Sequence, residues 1–187
     1  MLSLKMNDAA VQTLGVLTGL ERLEPPGGLA TGLQEKAARG IIRHGQALTW
    51  SDSHNPANAQ LYLDDLNRWE CDDSSFHLED FVPVKVATVD NAPVIAEQEQ
   101  RTLLLHGLAF ALEFAELIYA LQTPTPVRCV ISAGDTNATF RFHQIRPDPG
   151  RYTDLDAFQQ EKMITVDIEP FRVRDSEDRA QSSCGEG

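Results

Sequence analysis

The chain has 187 residues, 42% of them hydrophobic, with 28 acidic against 16 basic side chains and a net charge of −12. That length suits one domain, or one domain with a tail, and is enough to bury a real core, which excludes wholesale disorder. No uninterrupted apolar run approaches the roughly 18 residues of a membrane span, and such acidity argues against a general nucleic-acid binder, whose phosphate contacts need clustered cations.

Cys71, Cys129 and Cys184 are odd in number and widely spaced, with no Cys-x-x-Cys pair. Neither a disulfide framework nor the usual zinc or thioredoxin-like signature is expected. Met1 to Leu20 carries one lysine and is broken by Asn7, Asp8, Gln12 and Thr13, so it does not read as a signal peptide. The glycosylation triplet Asn137-Ala138-Thr139 is then without force, and a reducing cytoplasm is the expected setting.

Asp8 to Leu23 predicts a first helix, with a stripe of Leu14, Leu17, Leu20, Val16 and Leu23 and a cap at Asn7 or Asp8. Pro25-Pro26-Gly27-Gly28 stops it, and a short helical piece follows over Gln34 to Arg39. Ile41 to Trp50 predicts two strands around a His44-Gly45 turn, and Ser51 to Ala57 a loop. Partial alternation over Gln60 to Trp69 (Leu61 and Leu63 against Tyr62 and Asp64) predicts a strand. Cys71 to Ser75 reads as a polar loop, Phe76 to Val86 as irregular or strand-like, and Val86 to Pro93 as a linker.

Ala96 to Leu121 gives the strongest pattern, a long helix. At roughly 100° per residue, Thr102, His106, Glu113 and Glu116 fall on one narrow polar stripe and the remainder is apolar, so the helix is expected to be central and largely buried. Thr123-Pro124-Thr125-Pro126 ends it. Val127 to Ser132 and Thr139 to Ile145 predict a hairpin around Ala133 to Asn137. A loop at Pro147 to Gly150, a short helix over Leu155 to Lys162 capped by Asp154, and a strand over Met163 to Ile168 complete the domain. Segregated helices and strands predict an α+β fold: an antiparallel sheet on one long central helix, with an N-terminal helix. It would occupy residues 1–171, and the polar 172–187 would form a disordered tail.

Four constellations are candidates for chemistry. Between Asp64 and Asp80 lie seven acids (Asp64, Asp65, Glu70, Asp72, Asp73, Glu79, Asp80) against Arg68 alone, so this stretch carries half the net charge. Trp69 and Phe76 lie within it, and Tyr62 and Phe81 flank it. Clustered carboxylates steer a basic partner, and aromatic rings anchor interfaces. The surface reading names Asp64, Asp65, Trp69, Asp72, Asp73 and Phe76; the alternative is an acidic loop with its aromatics turned inward. The spacing lacks the positions and glycine of a calcium loop, so no metal is expected.

Glu113 and Glu116, with His106, share one helix face, as metal ligands, an acid/base pair or a solvated stripe would, and no Glu-x-x-His supplies the rest of a metal site. On the predicted hairpin, Phe140 and Phe142 face one way and Arg141 and His143 the other, with Arg128 and Arg146 nearby. That cationic face would hold an anion, or answer carboxylates of the same chain. Nucleophilic pairings have little support. Ser53 and His54 are adjacent and point apart, Cys71 and His77 lack any cause for a lowered thiol pKa, and Gly27 to Gly32 lacks the Lys-Ser/Thr of a phosphate cradle.

The run Thr139-Phe140-Arg141-Phe142-His143-Gln144-Ile145-Arg146-Pro147, followed by Asp154-Leu155-Asp156 and a closing strand, resembles immunity proteins of bacterial polymorphic-toxin systems, over at most Leu103 to Pro170. The resemblance implies an acidic inhibitor without catalytic residues that binds one toxin tightly; with the acidic stretch and the composition, the expectation is a basic toxin or effector domain as partner, with no cofactor, nucleic acid or membrane. The other expectation is a small enzyme or small-molecule binder whose pocket is lined by Glu113, Glu116, His106, Arg141 and His143. A structural or secretion-accessory subunit is the third.

Overall fold

A computed structural model describes residues 1–15, 24–147 and 152–170. Its centre is a five-stranded antiparallel sheet in the order β1-β9-β7-β8-β4. The strands are β1 (Leu2–Met6), β4 (Phe76–His77), β7 (Val127–Ala133), β8 (Ala138–Gln144) and β9 (Lys162–Ile168). The 23-residue helix α4 (Glu97–Tyr119) packs across one face. The expected α+β arrangement is therefore present, with the predicted hairpin as β7 and β8.

Alternation on β8 builds the core. Phe140 and Phe142 turn onto α4, where Phe110 meets Phe140 at 4.8 Å and Phe114 meets Phe142 at 4.6 Å. Trp50 closes the cluster edge-on to Phe142 at 5.2 Å. Gly107 lets α4 approach the sheet: a Cβ there would lie 2.7 Å from Ile131 Cγ2. By length and composition α4 is long and apolar enough to cross a membrane, but 61% of that stretch is buried inside the fold.

Several elements differ from expectation. The N-terminal helix α1 (Asp8–Leu14) stops at Gly15, whose φ of 77° leaves the helical region. Val16, Leu17, Leu20 and Leu23 of the expected stripe lie outside the described residues, as do 172–187. Ahead of α1, Leu2, Leu4 and Met6 alternate along β1, an edge strand that pairs with β9. Asn7 is a buried hinge: its Oδ1 accepts from the Ala10 and Met163 amides, and its Nδ2 donates to the Phe158 and Glu161 carbonyls. Those carbonyls belong to the stretch expected as a helix from Leu155. It is a series of turns instead, in which Asp154 accepts from the Asp156 amide and Leu155 packs on Val130 and Met163.

Helix α2 (Thr31–Arg39) begins three residues before Gln34. Gly32 allows it to lie against the Phe81 backbone, whose oxygen would sit 2.9 Å from an added Cβ. Strands β2 (Ile41–His44) and β3 (Ala47–Trp50) form the expected hairpin. The strand expected over Gln60 to Trp69 and the loop over Cys71 to Ser75 are both corrected. Pro56–Asp65 is a 3-10 segment, and Leu66–Ser74 is helix α3. The buried positions Leu66, Trp69, Glu70 and Ser74 recur at helical spacing, and Asp65 caps the helix by accepting from the Arg68 amide at 3.0 Å. The linker expected over Val86 to Pro93 is a hairpin, β5 (Val86–Val89) and β6 (Ala92–Ile95). Asp90 and Asn91 take φ of 51° and 63°, the left-handed pair that a two-residue hairpin turn requires.

Candidate functional site

The acidic segment divides into structural and solvent-facing carboxylates. Glu70 is fully buried, and its two oxygens collect five donors. Oε1 accepts from the Leu48 amide at 2.8 Å, Gln144 Nε2 at 2.7 Å and Arg146 Nη2 at 2.8 Å. Oε2 accepts from the Gln144 amide at 2.8 Å and Arg146 Nη1 at 2.7 Å. Asp73 accepts from Ser53 Oγ at 2.7 Å and also from Thr49 Oγ1. Glu79 accepts from the Ala138 amide and meets His77 Nδ1. With Asp65 at the cap, four of the seven acids hold the fold together.

Asp64, Asp72 and Asp80 face solvent, and Asp72 lies 3.7 Å from exposed Arg68. The two expected aromatic anchors turn most of their surface into the fold. Trp69 is 7% exposed and packs with Ala47, Ala59 and Leu66. Phe76 is half-buried, between Trp50, Phe81, Phe110 and Phe140. In their place the 3-10 segment turns Leu61, Tyr62 and Leu63 outward, at 79%, 47% and 61% exposure. Tyr62, Asn55, Asn58, Arg68, Asp72 and Asp73, with an edge of Trp69, line an open concavity of about 450 Å³. An exposed apolar ridge thus lies beside solvent-facing carboxylates, of which Asp72 is paired with Arg68.

The helix stripe and the cationic strand face do not meet, because the sheet and the core lie between them. Glu113 and Glu116 are exposed on α4, along a groove shared with Glu24 and Leu29. His106 is buried, accepts the Ala30 amide on Nδ1 at 3.3 Å, and burial lowers its pKa. Arg141 and His143 stand on the opposite face of the sheet. Arg141 donates to the Tyr152 hydroxyl at 3.1 Å and Thr139 Oγ1 at 2.8 Å. His143 is 2% exposed and donates from Nδ1 to its neighbour's carbonyl at 2.8 Å, and burial pushes its pKa down. The Arg141 Nε and His143 Nε2 atoms are buried without partners among the described residues.

Internal carboxylates answer two of the three arginines Arg128, Arg141 and Arg146. Arg128 pairs with Asp167 at 2.7 and 2.8 Å, which raises the arginine pKa, and Arg146 pairs with Glu70. A pocket combining the glutamates with Arg141 and His143 is therefore not formed. Ser53 bonds Asp73 rather than His54, and burial holds the Cys129 thiol neutral. Among the described residues no three His, Cys, Asp or Glu side chains cluster as metal ligands would.

The Leu61-Tyr62-Leu63 ridge is hidden in the sequence because its partial alternation is also the pattern of a strand. The helical spacing from Leu66 to Ser74, with an aspartate just before it, was the available signal. Set against protein families, curated proteins and solved structures, the chain matches none.

Proposed function

We propose that the chain is a non-catalytic protein-binding module, an immunity-type inhibitor that occludes a basic toxin or effector domain in the cytoplasm. The observation that carries this reading is the outward Leu61-Tyr62-Leu63 ridge bordered by solvent-facing Asp64 and Asp72. Apolar side chains that exclude water at the centre of a contact, with charges at its rim, are the arrangement of an interface. The carboxylates steer a cationic partner and the ridge holds it once docked.

The experiment is affinity capture from a lysate of the source organism, washed at rising salt, with the bound proteins identified by mass. Wild type retains one stoichiometric basic protein that high salt releases. Asp64→Lys with Asp72→Lys slows association by roughly tenfold or more at low salt, and Leu61→Lys speeds dissociation. Asp73 is left alone because it holds Thr49 and Ser53. An empty capture counts against the reading, and so does a partner whose binding ignores all three substitutions.

A further inference from the structure

The β5–β6 ribbon has one open edge and one closed edge. The Ile95 amide donates to the Asp135 carbonyl at 2.7 Å, so it points away from β5. Val86 and Ile95 are therefore a pair without mutual hydrogen bonds, and by the alternation of an antiparallel ladder so are Thr88 and Pro93. Pro93 thus stands where an outward amide would be and closes the outer edge of β6. On β5 the outward N–H and C=O groups of Val86 and Thr88 have no partner among the described residues. Val86 and Val89 beside them are 42% and 54% exposed. An isolated two-stranded ribbon is marginal in water, and a third strand is what it lacks.

We propose that this edge recognises a second copy of the chain, which adds its own β5 antiparallel to form a β6-β5-β5-β6 sheet about a two-fold axis. Pairing centred on Ala87 sets Val86 of each copy opposite Thr88 of the other and satisfies all four outward groups on each strand. The strand is self-complementary in charge. Exposed Lys85 precedes Val86-Ala87-Thr88-Val89 and exposed Asp90 follows it. Antiparallel pairing brings the Lys85 end of one copy beside the Asp90 end of the other, whereas parallel pairing would stack like charges. Lys85 to Ile95 is net neutral on a chain of −12, so two copies meet here with little local repulsion. This interface is separate from the acidic ridge and does not depend on the reading given for it.

The test is sedimentation equilibrium of the purified full chain from about 1 to about 500 µM. Wild type is expected to show a reversible monomer–dimer equilibrium. Thr88→Pro removes one outward amide without touching a β5–β6 hydrogen bond, and should abolish the dimer with the far-UV spectrum and Tm unchanged. Lys85→Glu, on an exposed side chain, should weaken dimerisation roughly tenfold by turning two attractions into repulsions. A wild-type chain that stays monomeric throughout overturns the proposal, and so does a dimer unaffected by Thr88→Pro. Should Thr88→Pro fail to fold, a dimer of unchanged strength in Lys85→Glu overturns it instead. The Asp64→Lys, Asp72→Lys chain should dimerise normally, which separates this edge from the partner surface.

Discussion

Glu70 joins the acidic segment to the sheet, through donors from β3, from β8 and from Arg146 beyond it. A buried carboxylate is stable only when its charge and lone pairs are all answered, and here they are. Glu70→Gln keeps the shape but replaces an acceptor oxygen with a donor amide facing donors, and it leaves Arg146 without its counter-charge. Its expected cost is about 3–5 kcal/mol by urea unfolding, because removing one partner strands the other. Arg146→Ala should cost a similar amount, since it strands the fully buried Glu70 carboxylate, which two main-chain amides and Gln144 serve with hydrogen bonds but no counter-charge. The double variant should fall short of the sum by about 0.5–3 kcal/mol, as groups in one network do. A Glu70→Gln cost below about 1 kcal/mol would show that the network is not stabilising in this way.

At the scale of elements, α4 against the sheet rests on a missing side chain. Alanine at position 107 would favour the helix by about 1 kcal/mol, but its Cβ would meet Ile131 Cγ2 at 2.7 Å and Leu78 Cδ1 at 3.2 Å. Both neighbours are fully buried, so overpacking of roughly 1–3 kcal/mol should win and Gly107→Ala should lower Tm; a rise would mean that the contact relaxes freely. The elements legible in the sequence were those whose period matched their burial: α4, the β7–β8 hairpin, β9, and Phe140 and Phe142 turned opposite to Arg141 and His143. Those missed had patterns set by something other than local burial. Leu61 and Leu63 alternate yet face water, and the turns at Leu155 are held by Asn7 from the far end of the chain. Asp90-Asn91 needed its turn chemistry weighed above the exposure of its flanks. The acidic segment is legible in its charge, but the burial of Trp69 follows from helix α3, whose spacing the strand-like alternation ahead of it obscures.

At the scale of the whole molecule, titrating groups on separate elements set how stability depends on pH. His106 and His143 belong to different faces of the sheet, and burial depresses both below the ordinary histidine value of 6.5. Depressed folded pKa values mean that the unfolded chain binds more protons as pH drops below 6.5, so stability rises with pH across that window and is lost as pH falls through the folded values. Asp52, held low chiefly by Arg39, and Glu97, held low by Thr13 and Lys162, act later. Their contribution is present above the ordinary values of 3.8 and 4.5 and is lost as pH falls below them. Tm should therefore be level from pH 8 to pH 7, decline in a first step below about pH 6.5, and decline again below about pH 4.5. His143→Gln, which carries no titrating ring into the buried strand face, should remove part of the first step and leave the second in place. An unchanged first step in a folded His143→Gln, His106→Gln chain would assign that loss to other groups, and the burial of these two rings would then have no part in the acid response.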